Sequence, residues 1–184
     1  MYKVFKVEPF VVNTAGYNIR DVKLVNYNNF TDKELKWYTT FLEIARIMGN
    51  NSHCVSHKVG AVLVKNNRII STGINGTPPG CVNCDEVFDP SNFDREDHHK
   101  WSELNELHAE INMLAIAARE GISTKDSAVY TTISPCVHCA KALVAAGVQT
   151  VVFSELYDLD IEGLLLMLLS DVSVFLIKED DASA

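Results

Sequence analysis

Two short segments carry metal-ligand residues at the places where a helix begins. His108-Ala109-Glu110 stands at the head of one apolar-periodic run, and Ser134-Pro135-Cys136-Val137-His138-Cys139 at the head of the next. Each follows a strand or a loop, so the chain around them must alternate strands with helices. At a helix N-terminus the unsatisfied N–H groups and the positive end of the dipole favour anions, so Cys136 and Cys139 are deprotonated at low cost. Spaced i and i+3, the two sulfurs share one helical face and reach a single ion. With His108 they make three protein ligands and leave the fourth tetrahedral position to water, the arrangement of a catalytic rather than a structural zinc. Such an ion brings the pKa of its water down to about 7. Glu110 is placed to take the proton from that water without binding the metal.

The rest of the chain supplies the elements that this alternation requires. Thr31-Asp32-Lys33-Glu34 has the form of a capping box and predicts a helix start. The apolar stripe then runs Leu35, Tyr38, Phe41, Leu42, Ala45 and Met48, and Gly49-Asn50 predicts the stop. Val59 to Val64 and Arg68 to Thr72 predict a hairpin turning at Asn66-Asn67. Further strands are expected over 128–132, 150–153 and 172–177, and helices over 106–119, 136–146 and 161–169. This order predicts an α/β sandwich whose later strands are parallel. Residues 1–30 mix β-type side chains with Asn and show no clean period, so they are set apart as an arm. From Asn75 to Asn105 the chain is turn-rich, then polar and acidic, and a connection of that length inside a compact domain is usually functional or mobile. The domain proper is read as 31–178, followed by an acidic tail over 179–184.

Lys and Arg number 16 against 24 Asp and Glu, a net charge of -8 that repels a phosphate backbone and argues against a nucleic-acid partner. The longest apolar run, 164–169, is far below the roughly 18 residues of a membrane span. The first residues lack the apolar stretch of a secretory signal, so a cytosolic protein is expected. In a reducing compartment the pairs Cys81 with Cys84 and Cys136 with Cys139 point to metal rather than to disulfides. Cys81 and Cys84 have zinc-knuckle spacing and His98 stands beside His99, so the ligands of a second metal remain open between these residues. His53, His57 and His138 are expected at the surface.

His-x-Glu followed by Pro-Cys-x-x-Cys is the pattern of zinc-dependent nucleobase deaminases. With it come Cys54-Val55-Ser56-His57-Lys58-Val59-Gly60-Ala61-Val62, then Arg68-Ile69-Ile70-Ser71-Thr72-Gly73 and Asn75-Gly76-Thr77-Pro78. Over residues 41–157 the chain resembles the deoxycytidylate deaminases, those of phages above all. The resemblance implies a three-layer α/β/α sandwich of the cytidine deaminase-like fold with a mixed central sheet. It implies hydrolysis of dCMP to dUMP with release of ammonia, which supplies precursor for dTMP synthesis. It further implies a homohexamer activated by dCTP and inhibited by dTTP. It puts the proton shuttle on Glu110 and the catalytic zinc on His108, Cys136 and Cys139. A second, structural zinc falls on Cys54, Cys84, His98 and Glu106, where it would pin the long acidic connection. The expected compartment is the cytoplasm, that of the host if a phage encodes the protein.

For the substrate, the resemblance points to Asn75 at the sugar. Lys58 and Tyr157 are candidates near the phosphate, and Ser134 and Pro135 offer a backbone carbonyl to the amino group. The family's effector motif Gly-Tyr-Asn-Gly reads Gly73-Ile74-Asn75-Gly76 here. Ile74 lacks the flat ring and hydroxyl of tyrosine, so an effector response through Ile74 and Gly76 is expected to be weakened. Arg119 matches a position of the allosteric and subunit contact, and it also suits the negative end of its helix. Two other readings compete, a deaminase of nucleic-acid bases and a zinc module without activity. The lack of a basic groove opposes the first, and the intact Glu110 opposes the second.

Overall fold

The computed structural model describes residues 2–14, 17–157 and 161–179. The strands are β1 (Tyr2–Thr14), β2 (Tyr17–Asn26), β3 (Gly60–Lys65), β4 (Arg68–Ile74), β5 (Ser127–Ile133), β6 (Val148–Glu155) and β7 (Ser173–Glu179). The helices are α1 (Asp32–Gly49), α2 (Cys84–Val87), α3 (Arg95–Asn105), α4 (Ala109–Arg119), α5 (Val137–Ala145) and α6 (Ile161–Leu169). All seven strands join one sheet in the order β2-β1-β7-β6-β5-β3-β4. It is mixed, as expected: β5, β6 and β7 run parallel, while β3 pairs antiparallel with both β4 and β5.

Both faces of the sheet are covered, so its strands alternate between two cores rather than between core and solvent. Ala61, Leu63, Val129, Val151, Phe153, Val174 and Leu176 meet α4, α5 and α6. Their neighbours Val62, Val64, Tyr130, Val152, Phe175 and Ile177 meet α1. That makes three layers, helix on sheet on helix. The β3–β4 hairpin turns where expected: Asn66 and Asn67 stand at φ 52° and 56°, the left-handed pair of a two-residue turn matched to the twist of its strands. The capping box at α1 is also formed, with Thr31 N–H donating to Glu34 Oε2 at 2.8 Å and Glu34 N–H to Thr31 Oγ1 at 3.2 Å.

The arm of residues 1–30 holds the strands β1 and β2, which extend the sheet beyond β7. Its period was hidden because β1 is covered on both sides: Val4 packs toward α1 and Val7 toward α6. Glu179, the first residue of the expected tail, pairs with Tyr2 as the last residue of β7, and 180–184 lie outside the described residues. The polar connection contains α2 and α3. Asp94 caps α3 by accepting from Glu96 N–H at 2.8 Å and Asp97 N–H at 3.0 Å, yet α3 buries only His98. No helix among the described residues is long and apolar enough to cross a membrane.

Candidate active site

Helix α4 leads into β5 and α5 leaves its far end, both on the same face of the sheet, so the start of α5 stands beside the start of α4. His108 and Cys136 are the N-cap residues of these helices, both in extended conformation. His108 Nδ1 lies 3.5 Å from Cys136 Sγ and 3.4 Å from Cys139 Sγ. A tetrahedral zinc about 2.3 Å from sulfur and about 2.0 Å from nitrogen sets such atoms about 3.6 Å apart, so the three residues fit this ion. His108 is exposed, Cys136 half-buried and Cys139 buried, which leaves one side of the cluster open to solvent. The structure brings together the three ligands expected from the sequence.

Glu110, in the first turn of α4, is buried at 4% exposure and hydrogen-bonds the Cys139 thiol. Burial raises the pKa of its carboxyl above the usual carboxylate range. The Cys136 thiol is brought down to about 4 by hydrogen bonds, first to Cys139 and then to His108. Cys139 is pushed up by the same shared proton and by burial. The bond to Cys136 raises His108. A dication among these atoms would neutralise both thiolates and remove the cost of the buried charge.

A second cluster lies at the end of the long connection. Cys54 Sγ is 3.6 Å and Cys84 Sγ 3.3 Å from His98 Nε2, and all three residues are buried. Burial raises the Cys54 thiol and pushes Cys84 up to about 12, with the charges of Cys54 and Glu106 adding to the latter. Glu106 accepts from Ser102 Oγ at 2.6 Å through Oε2, while its buried Oε1 has no hydrogen-bond partner among the described residues. The ligand atoms within 4.8 Å of one another are those of Cys54, Cys84 and His98 and leave Glu106 outside, yet its charge acts on both thiols and its bare acceptor is free to take a cation. Cys81 is exposed, and exposed His99 pairs with Glu103 at 3.5 Å, so neither belongs to this cluster.

Residues 35–155 match the family described as the cytidine and deoxycytidylate deaminase zinc-binding region, a span that takes in both clusters. The chain belongs to this family. The deaminase is 38% identical over 151 residues to the deoxycytidylate deaminase of Enterobacteria phage T2, covering 65% of this chain and 80% of the relative. It is 34% identical over 145 residues to the deoxycytidylate deaminase of Schizosaccharomyces pombe, covering 77% of this chain and 43% of that longer protein. Its fold matches the crystal structure of the dCMP deaminase of cyanophage S-TIM5 in complex with dCMP and dUMP. That match has a TM-score of 0.64 at 31% identity and covers 79% of this chain and 98% of the other.

Around the three expected ligands the remaining expected residues take different places. Ser134 and Tyr157 meet, Tyr157 N–H donating to Ser134 Oγ at 2.7 Å, and buried Pro135 lies between Ser134 and the ligand Cys136. A Cβ on Gly163 would lie 2.5 Å from the Pro135 carbonyl oxygen, so α6 packs closely on this turn. Asn75 has a structural task that the sequence did not show. Its side chain accepts from Val59 N–H and donates to His57 O, both at 2.8 Å, which holds exposed Lys58 in its loop. Ile74, Asn75 and Gly76 line a cleft of about 160 Å³ with His53, Leu107 and Asn112. Arg119 lies at the far end of α4, exposed and paired with Glu120 at 2.9 Å. Asn112 and Ser52 were not singled out in the sequence: Asn112 Nδ2 donates to Ile74 O at 3.0 Å, and Ser52 Oγ to Asn75 O at 2.8 Å. Asparagine and serine carry no ligand spacing that would have marked them.

Proposed function

We propose that this chain is a zinc-dependent dCMP deaminase that converts dCMP and water to dUMP and ammonia and so supplies precursor for dTMP synthesis. The observation that carries the reading is the buried Glu110 carboxyl bonded to a ligand of an open, three-residue metal cluster. A purely structural zinc has no use for it. The relatives named deoxycytidylate deaminase and the cyanophage enzyme bound to dCMP and dUMP support the substrate.

Zinc, held by His108, Cys136 and Cys139, supplies the Lewis acidity that brings the pKa of a water to about 7. Burial raises the pKa of Glu110, which suits its carboxyl to take and return a proton. It takes a proton from the attacking water and delivers it to N3 of the cytosine as the bond from oxygen to C4 forms. It then carries the second proton to the amino group as the C4–N bond breaks. The water oxygen stays on C4, one of its protons ends on N3 and the other leaves in ammonia. The Ser134 carbonyl orients the amino group, Asn75 the sugar, and Lys58 with Tyr157 the phosphate.

The reading extends to a second, structural zinc on Cys54, Cys84, His98 and Glu106, supported by the bare Oε1 of Glu106. It extends to a homohexamer in the cytoplasm under dCTP activation and dTTP inhibition through Ile74, Gly76 and Arg119, the dCTP response being weakened by Ile74. The test is the absorbance change when dCMP is added to the zinc-loaded protein, with and without dCTP, beside cytidine and a cytosine-containing oligonucleotide. Rapid loss of the cytosine absorbance on dCMP is expected. No reaction on dCMP in either condition, or a faster one on the oligonucleotide, overturns the reading.

A further inference from the structure

The segments that carry both metal clusters are hydrogen-bonded to one short turn, Ile74-Asn75-Gly76, at the end of β4. On the catalytic side Gly76 exchanges two backbone bonds with Leu107, at 3.1 and 2.8 Å, and Leu107 stands between Glu106 and His108. Asn112, from the first turns of α4, adds its bond to Ile74 O. On the other side Ser52, 3% exposed, donates to Asn75 O at 2.8 Å and accepts from Cys54 N–H at 3.1 Å. The Ser52 hydroxyl has one proton, and it goes to the turn; the oxygen it leaves takes the N–H of a metal ligand. The path from Cys54 to His108 is therefore Ser52, the backbone of Asn75 and Gly76, and Leu107. Ser52, Cys54 and Asn75 are buried, so water competes little for the bonds on that side.

We propose that Ser52 is a positioning residue that couples the two metal sites, so that an ion on Cys54, Cys84 and His98 strengthens retention of the ion on His108, Cys136 and Cys139. The inference rests on the reading that both clusters hold zinc. By linkage the coupling runs equally in both directions. Groups one step removed from a metal commonly change its affinity by about tenfold or more when they are lost; the Ser52 hydroxyl stands one step from Cys54 and reaches His108 through the backbone of Asn75 and Gly76 and through Leu107.

The experiment follows zinc leaving the loaded protein for a chromophoric chelator, with total zinc measured beforehand and kcat and KM for dCMP beside it. Wild type, Ser52→Ala, Ser52→Thr and Ser127→Ala are compared. Ser127 is a control of the same kind: it is buried, its Oγ donates to Thr124 O at 2.6 Å, and it lies at the opposite end of β5 from the site. Wild type is expected to hold two zinc ions. In Ser52→Ala both release phases should accelerate, that of the Cys54 site by about tenfold, with kcat lowered and KM little changed. Ser52→Thr keeps the hydroxyl and should release zinc as wild type does, and so should Ser127→Ala even where its melting temperature falls. Acceleration of one phase alone, or equal acceleration in Ser127→Ala, overturns the coupling while the two-zinc reading stands. A wild-type protein with a single zinc overturns that reading and the coupling with it. Should Ser52→Ala not fold, Asn112→Ala loosens the same turn from the side of α4, and acceleration of a single phase there is equally decisive.

Discussion

Glu110 is an acid kept out of water with a thiol and its own backbone N–H as hydrogen-bond partners, and such burial is costly unless the group does something. Replacing it with Gln preserves shape and leaves the three ligands in place, so Glu110→Gln should bind zinc as wild type does and lose roughly 10²–10⁴-fold in kcat, the usual worth of a positioned proton carrier. Metal analysis and steady-state kinetics check the pair of outcomes, and wild-type turnover would move the proton to another group. Cys84 answers a different question at the same scale. Its thiol, pushed up to about 12 by burial, is poorly accommodated as an anion without a cation beside it. Cys84→Ser should hold one zinc instead of two. With the tie of α2 and α3 lost, a deficit of about 3 kcal/mol lowers the melting temperature of a chain of this size by about 10 °C. Limited proteolysis should cut first between 78 and 105, and an uncut, two-zinc variant would show that Cys84 is not a ligand.

Between elements the two faces of the sheet are unlike. Tyr130 of β5 stands against Tyr38 and Phe41 of α1 at ring separations of 5.4 and 4.9 Å, and the Tyr38 and Tyr130 hydroxyls are hydrogen-bonded. Burial raises the Tyr130 phenol far above its ordinary value near 10. In the folded protein it therefore stays neutral where the unfolded chain ionises. Stability from this group is complete below about pH 10 and falls above it, at about 1.4 kcal/mol per pH unit. Tyr130→Phe should flatten that alkaline fall, measured as urea midpoints at pH 9 and pH 11, and an unchanged slope would show that other groups set it. Elements such as α1, α6 and the β3–β4 hairpin were legible because cap, stripe and turn residues act over a few positions. The catalytic ligands were legible for the same reason, since Cys136 and Cys139 share one turn of helix and Glu110 sits two residues from His108. The second cluster was legible only through the family resemblance, because Cys54 and His98 meet through the tertiary path of the 75–105 connection, and spacing alone favoured Cys81 equally. Helix α3 escaped notice because it buries one histidine and leaves its apolar Leu104 exposed, so no stripe marks it. The task of Asn75 was hidden because its partners, His57 O and Val59 N–H, are backbone groups that no side-chain pattern reports.

At the scale of the whole molecule the residues of both clusters all lie between Cys54 and Cys139 and the family match spans 35–155, yet the sheet does not end there. β1 pairs with β7 and β2 with β1, and the segment after them folds over the α1 face, where Tyr27 and Phe30 pack on Phe175 at 5.3 and 5.1 Å. Removing residues 1–30 would turn β7 into an edge strand and bare Phe175 and Ile177 on one face and part of α6 on the other. Val4 and Val7 are themselves buried, and at about 1.5–3 kcal/mol for each fully buried side chain the loss reaches about 5 kcal/mol before the newly exposed partners are counted. Whole domains have only about 5–15 kcal/mol to lose. The truncated protein should therefore aggregate or melt more than about 10 °C below the full chain, although every residue assigned to zinc or to proton transfer is present. Calorimetry on both forms, each with its zinc content measured, decides the matter. A truncated protein that melts within a degree or two of the full chain would mean that the hairpin is an appendage on a self-sufficient core, and that β7 tolerates a free edge.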